Sequence, residues 1–246
     1  ANYMRDGLMD LVSHTHDLGC IDLIKIVGDA EGTKIQGVAE DRSIVLDGEF
    51  NTTVSEFTGT FGMPNLNKLK VLLNLEPYQE NADISIQKQD RNGENVPVGM
   101  HFENNAGDFK NDYRFMVQEI VEEKIKGLKF KGANWDIEFQ PTVAGIGRLK
   151  MQIQANSEET VFQTKIEDGN MKFMFGDHST HAGEFVFHAG VEGQLNSGWN
   201  WPVSHFSKIM DLTGDKTIRF SNQGACQITV NSGLAVYNYI LLAQSK

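Results

Sequence analysis

Several things are scarce in this chain of 246 residues, and each scarcity removes a class of protein. The two cysteines, Cys20 and Cys226, lie far apart and match no metal or redox spacing; buried thiols in a reducing compartment are expected. No basic n-region followed by an apolar stretch opens the chain, so no signal peptide is expected. The triplet Asn51-Thr52-Thr53 is then a chance sequon. The longest nearly apolar run, Leu234–Ala243, is about half the length needed to span a bilayer. No membrane partner and a cytoplasmic location are expected.

Positive charge is scarce too. Lys and Arg number 22 against 33 Asp and Glu, a net charge of -11. That total argues against a protein that coats DNA, because phosphate contacts need cations. It leaves room for a small basic surface on an acidic body, which would repel DNA everywhere else. Disorder is excluded by 40% hydrophobic and only 22% charged residues.

Catalytic signatures are missing as well. No Gly-x-Ser-x-Gly, Walker or His-Glu-x-x-His sequence occurs. Gly145-Ile146-Gly147 lacks the third glycine of a dinucleotide fold. His14 and His16 stand at i and i+2, a spacing for one face of a strand. His178, His181 and His188 have no Cys or carboxylate at ligand spacing. No enzyme, catalytic residue, metal site or cofactor is expected.

What is present is a rhythm, and prolines mark it. Pro64, Pro141 and Pro202 each stand where an amphipathic stretch begins, and proline suits a first helical turn. The stripes are Leu66, Leu69, Leu72 and Leu73; Val143, Ile146, Leu149 and Ile153; and Val203, Phe206, Ile209 and Met210. A fourth stripe, Leu8, Leu11, Val12 and Thr15, opens the chain near Asp6. Four short helices are predicted.

Each is trailed by about three period-two segments that read as strands. They are Ile21–Val27, Lys34–Ala39 and Ser43–Phe50; Ala82–Gln89, Val96–Glu103 and Tyr113–Val117; Thr160–Glu167, Met171–Phe175 and Glu184–His188; and Lys216–Ser221, Ala225–Val230 and Ala235–Leu242. Helix starts fall near residues 6, 64, 141 and 202, the mark of an internal duplication with a longer middle interval. Gly48-Glu49-Phe50 leads to Met63-Pro64 as Gly183-Glu184-Phe185 leads to Trp201-Pro202. The prediction is an α+β chain of two similar domains, 1–117 and 132–246, with antiparallel sheets carrying two helices on one face and a connector over 118–131.

The arrangement resembles the DNA polymerase sliding clamps (processivity factors) of tailed bacteriophages and, more distantly, the proliferating-cell nuclear antigen type. The nearest local likeness is the run Asp215–Ala243, similar to the final hairpin of these clamps, with Leu242 where many members carry proline. The resemblance implies a non-catalytic homotrimeric ring, assembled head to tail by pairing edge strands and lined with helices. Its partners would be double-stranded DNA, bound without sequence preference, a DNA polymerase and an ATP-driven clamp loader. A phage-encoded chain would work in the cytoplasm of its bacterial host. The competing class is a β-rich assembly protein such as a phage tail or tube subunit, which does not require the helix-then-strands rhythm.

A ring that slides needs cations for phosphates rather than groups that read bases. On a helical wheel Lys208 falls opposite Val203, Phe206 and Met210, and Arg148 opposite Ile146, Leu149 and Ile153. Lys68 sits at the side of its helix, and Lys70 and Lys150 flank the apolar stripes within snorkelling reach. These five are the candidate DNA-facing residues. The first helix disagrees: its outward face carries Asp6, Asp10, Ser13 and Asp17. Either the DNA contacts concentrate on the other three helices or the register of this one differs. Lys124, Lys126, Lys129 and Lys131 read as a half-buried extended connector with a solvated lysine face, or as a partner-docking segment. By the resemblance, Tyr239, Ala225 and Leu128 would line a pocket for a client's hydrophobic peptide.

Overall fold

The computed structural model describes residues 3–125, 132–177, 182–196 and 198–244. All four helices and twelve strands expected from the pattern are present. The first module runs α1 (Tyr3–Ser13), β1 (Ile24–Asp29), β2 (Gly32–Val38), β3 (Ile44–Phe50) and β4 (Gly59–Met63). The second is α2 (Leu66–Asn74), β5 (Asp83–Arg91), β6 (Glu94–Glu103) and β7 (Lys110–Arg114), followed by α3 (Gln118–Lys124) and β8 (Ile137–Phe139). The third is α4 (Val143–Ala155), β9 (Val161–Glu167), β10 (Asn170–Gly176), β11 (Ala182–His188) and β12 (Asn200–Pro202). The fourth is α5 (Val203–Met210), β13 (Asp215–Ser221), β14 (Ala225–Asn231) and β15 (Ala235–Leu242). Among the described residues no helix is long and apolar enough to cross a membrane.

Three strands were not expected, β4, β8 and β12. Each is only three to five residues long, too short to establish an alternation, and each runs into the next helix. They complete the duplication. The strand order β4-β1-β2-β3 in the first module is matched by β12-β9-β10-β11 in the third, with every neighbour antiparallel. The chain divides into two compact units: Ala1–Lys129 with Asn231–Tyr237, and Phe130–Val230 with Asn238–Lys246. Residues 231–237 thus belong with the first unit, although the sequence order sets them among its last hairpin.

In the first unit the helix α1 turns Leu8, Leu11 and Val12 inward, and α2 turns Leu66, Leu69, Leu72 and Leu73. The two helices pack on each other. Asn65 takes a left-handed conformation at the N-cap of α2, and the Tyr113 hydroxyl donates to the carbonyl of Pro64 just before it. Burial pushes that hydroxyl's pKa well up, so it stays a donor. Phe57, Phe61 and Phe115 form an aromatic cluster, with Phe61 and Phe115 stacked at 4.3 Å. Gly62 and Met116 form an isolated bridge, and α3 packs on β4 through buried Val121. The first part of the expected connector, residues 118–124, is helical, because burying Val121 and Ile125 four residues apart favours the helical period; of the stretch expected to be extended, only Lys124 and Ile125 are described. Lys124 is exposed at the end of α3, while Lys126, Lys129 and Lys131 lie outside the described residues.

The second unit is built on phenylalanine. Phe162, Phe173, Phe187 and Phe206 interlock, Phe173 and Phe187 stacking at 4.3 Å and Phe206 meeting Phe162 edge-on at 5.1 Å. Gly145 is where α4 approaches β11: a Cβ there would lie 2.5 Å from the carbonyl oxygen of Phe187. Only glycine permits that approach. It also corrects the predicted apolar stripe. The helix rests on the sheet through Gly145 and Leu149, with the Gln152 side chain donating to the Glu184 carbonyl. Val143 is consequently turned away, 90% exposed. Thr142 caps this helix by accepting from the Gly145 amide at 2.9 Å.

Candidate nucleic-acid interface

In each unit the helix pair, α1 with α2 and α4 with α5, carries more cations than acids on an acidic chain. Together the four helices carry six Lys and Arg against two Asp, whereas the whole chain is at -11. The remaining acidic excess therefore lies on strands, loops and α3, whose exposed residues include Glu119, Glu122 and Glu123. Such segregation attracts a polyanion to the helices and repels it elsewhere.

The five predicted cations differ in freedom. Lys68, Arg148 and Lys208 are exposed and have no carboxylate partner among the described residues. Arg148 places its guanidinium 5.9 Å from the Phe185 ring centroid, a weak cation–π contact that steadies its stem. Lys70 is bound instead to Asp17 at 2.7 Å, and Lys150 to Asp211. Sequence reasoning did not find these pairs because each joins residues of different elements with no local spacing to betray them. Exposed pairs of this kind exchange readily with other anions, since they contribute only ~0–1 kcal/mol.

The acidity expected on the outward face of α1 is largely resolved by the same geometry. Asp10 is not outward. Its Oδ2 accepts from the Ser232 hydroxyl at 2.7 Å and the Tyr237 hydroxyl at 2.8 Å. His14, buried next to it, stacks on Tyr237 at 4.5 Å with rings nearly parallel, and its Nδ1 lies 2.7 Å from the Asp10 carbonyl. The register is the expected one, with Leu8, Leu11, Val12 and Thr15 all buried; Asp10 alone leaves the outward set, drawn in by hydroxyl partners distant in sequence. Asp17 is neutralised by Lys70, leaving Asp6 as the exposed acid of the helix. Arg5 is also spent internally, its guanidinium donating at 2.8 Å to the Leu73 carbonyl in the last turn of α2. On α4 apolar side chains join the cations: Val143 in the first turn and Met151, two turns on, which is 63% exposed.

The predicted peptide pocket has a different setting. Tyr239 has no exposed surface, Ala225 is buried, and both belong to the second unit; Leu128 lies outside the described residues.

Two sheet edges complete the picture. β7 ends the sheet β5-β6-β7, and β11 ends the sheet β11-β10-β9-β12. On β6, His101 faces Asp112 of β7 at 2.7 Å through Nδ1 and Glu103 at 3.1 Å through Nε2, and Lys110 stands 3.6 Å from Glu103. Hydrogen bonds to Asp112, then Glu103, raise the imidazole pKa above its ordinary value. On β9 and β10, Lys172 and Lys165 hold the Glu167 carboxyl down at about 2, and both also reach Glu184 of β11. The sequence patterns gave no sign of either cluster, because cross-strand partners are set by register rather than by local spacing.

No protein-family model matches the chain, and no curated protein matches its sequence. Among solved structures it is similar to PCNA, the proliferating-cell nuclear antigen, from Thermococcus kodakaraensis, with a TM-score of 0.66 and 11% identity over 98% of this chain and 97% of that one. It is similar also to the PCNA2–PCNA3 complex from Sulfolobus tokodaii, with a TM-score of 0.62 and 12% identity over 98% and 97%. A third likeness is to A. fulgidus PCNA with the C-terminal region of FEN-1 bound, with a TM-score of 0.66 and 9% identity over 97% and 95%. Across nearly its whole length, this chain has the α+β fold of two similar domains found in PCNA-type sliding clamps.

Proposed function

We propose that the chain is one subunit of a DNA polymerase sliding clamp, a non-catalytic homotrimeric ring that encircles duplex DNA and tethers a replicative polymerase after opening by a clamp loader. The observation that carries this reading is that Lys68, Arg148 and Lys208 stand exposed on helices of a chain at -11 with no carboxylate partner among the described residues. A sequence-independent sliding surface requires cations for phosphates and no groups that read bases.

The internal repeat supports the assembly. Within the chain β3 lies beside β15, Gly48 approaching Val236 and Tyr237 so closely that a Cβ would sit 3.0 Å from the Val236 carbonyl oxygen. β11 is the counterpart of β3 in the second half, and β7, which closes the second module, is the counterpart of β15. Joining β7 of one copy to β11 of the next repeats the internal pairing and consumes both edges, a heterologous contact that closes as a ring. A bacteriophage origin accords with the resemblance in the final hairpin. The client-peptide pocket at Tyr239, Ala225 and Leu128 stays within the proposal; since Tyr239 has no exposed surface, a peptide reaching it must displace the groups that cover it.

Encirclement has a topological test. A ring threads onto linear duplex from its ends, so blocking both ends with streptavidin on terminal biotins before adding protein is expected to abolish retention, while blocking them afterwards is expected to trap it. Equal binding to blocked and open duplex contradicts encirclement. An open filament from the same preparation favours the tube-subunit alternative.

A further inference from the structure

A cavity of about 280 Å3 opens in the first unit between the first two turns of α1, the end of β3 with the loop after it, and the turn between β14 and β15. Its walls are apolar, chiefly Met4, Leu8, Phe50, Val54 and Phe57, and no Lys, Arg or His lines it. We propose that this cavity holds one bulky apolar side chain of a partner protein, presented by a segment that carries lysine or arginine beside it.

The site is built rather than left over. The Asn51 amide donates to the Leu234 carbonyl at 2.9 Å, joining the two loops that form one wall. The Val54 amide donates at 2.9 Å to the buried hydroxyl of Thr33, which fixes the opposite end of the loop. Tyr3 is clamped at the rim, its hydroxyl donating to Glu56 at 2.7–2.8 Å. A pocket whose walls are fixed in advance loses little entropy on binding.

Gly7 shows that the space is not demanded by packing. A Cβ added there would meet only Phe50, at 3.7 Å, an ordinary contact. Alanine would fit and would favour the helix, yet the position is glycine and the cavity keeps the volume of the missing methyl.

Two features select the occupant. Tyr3 and Leu234 flank the mouth while 59% and 45% exposed, so apolar contact continues outside the cavity, as suits an anchor on a longer chain better than an isolated small molecule. The rim is acidic. Glu56 ends the clamp on Tyr3, and exposed Asp6 lies on the same helix face three residues on. Lys88 offsets part of the field of Glu56. A basic segment gains from that rim, whereas a second copy of this chain would bring mostly acidic surface.

Terminally blocked peptides decide it: Lys-Lys-Phe-Lys-Lys, Glu-Glu-Phe-Glu-Glu and Lys-Lys-Ala-Lys-Lys, titrated into the intact protein at one moderate salt concentration while the methyl resonances of Met4, Leu8 and Leu234 are followed. The basic Phe peptide is expected to saturate those shifts at least about tenfold more tightly than either of the others. Gly7→Leu, which fills the cavity, is expected to remove the response without lowering the melting temperature. Leu234→Ser on the exposed turn provides the same comparison if that variant fails to fold. Equal responses to the Phe and Ala basic peptides overturn the proposal, as does a response that survives Gly7→Leu or Leu234→Ser in the folded protein. Saturation by toluene with none by any peptide overturns it too.

Discussion

The two units hold their helix pairs in different ways. In the first, polar ties do much of it: Asp10 receives Ser232 and Tyr237, Arg5 reaches the Leu73 carbonyl, and Lys70 pairs with Asp17. In the second, Phe206 of α5 interlocks with Phe162, Phe173 and Phe187, and α4 lies close to β11 because position 145 has no side chain. The consequence reaches the surface. Polar fixation consumes Arg5 and engages Lys70, leaving Lys68; in the second unit Lys150 pairs with Asp211, while Arg148 and Lys208 are both left without carboxylate partners among the described residues. Similar domains can therefore divide labour, the second supplying more of the available positive charge.

The sharpest way to break that comparison is in the cores. Phe206→Ala is expected to cost ~3–5 kcal/mol, measured by urea unfolding, because it removes a ring shared by three others. Asp10→Ala is expected to cost less, ~1–3 kcal/mol, by removing the carboxylate that accepts from the Tyr237 and Ser232 hydroxyls. Combining it with Tyr237→Phe should recover part of that loss, since the donor aimed at the lost carboxylate is then gone too. A larger penalty for Asp10→Ala than for Phe206→Ala reverses the assignment.

At the surface, Arg148→Glu and Lys208→Glu are each expected to lower the slope of log affinity for duplex against log salt by about one. Lys70→Glu should change it less, because its ammonium already neutralises Asp17. Equal slopes for all three variants erase the proposed division of labour.

The smallest effect concerns pH. His101 donates through both ring nitrogens only when protonated, and its partners raise its folded pKa above 6.5. The stability it lends to the β6–β7 edge is therefore fully present below pH 6.5 and lost as pH rises through the raised value. An NMR titration is expected to place the His101 midpoint above 6.5, and in Asp112→Asn below that of the parent. A midpoint at or below 6.5 in the parent contradicts the doubly bonded imidazolium.

Much of this architecture was legible in the residues. Prolines at helix starts and period-two runs such as Ala235–Leu242 located the helices and the longer strands, because both signals are local. The short strands at Gly59–Met63, Ile137–Phe139 and Asn200–Pro202 were not legible, being defined by partners rather than by pattern. Val143 was misplaced because a hydrophobic stripe ignores what glycine at 145 permits. The site was legible as to which residues are basic, but not as to which are free: the wheel sets Lys70 beside the apolar stripe, yet nothing local to it signals the approach of Asp17. Asp10 was set outward for the same reason, since its partners lie more than two hundred residues away in the chain.

A native mass spectrum of the purified chain at micromolar concentration bears most directly on the reading that edge strands close copies into an annulus with the cationic helices inside. The expected result is a single species of three copies that falls to monomer when Asn111 of β7, half-buried at the sheet edge, is replaced by proline. A monomer in the parent protein, or a ladder of ever longer oligomers, contradicts it.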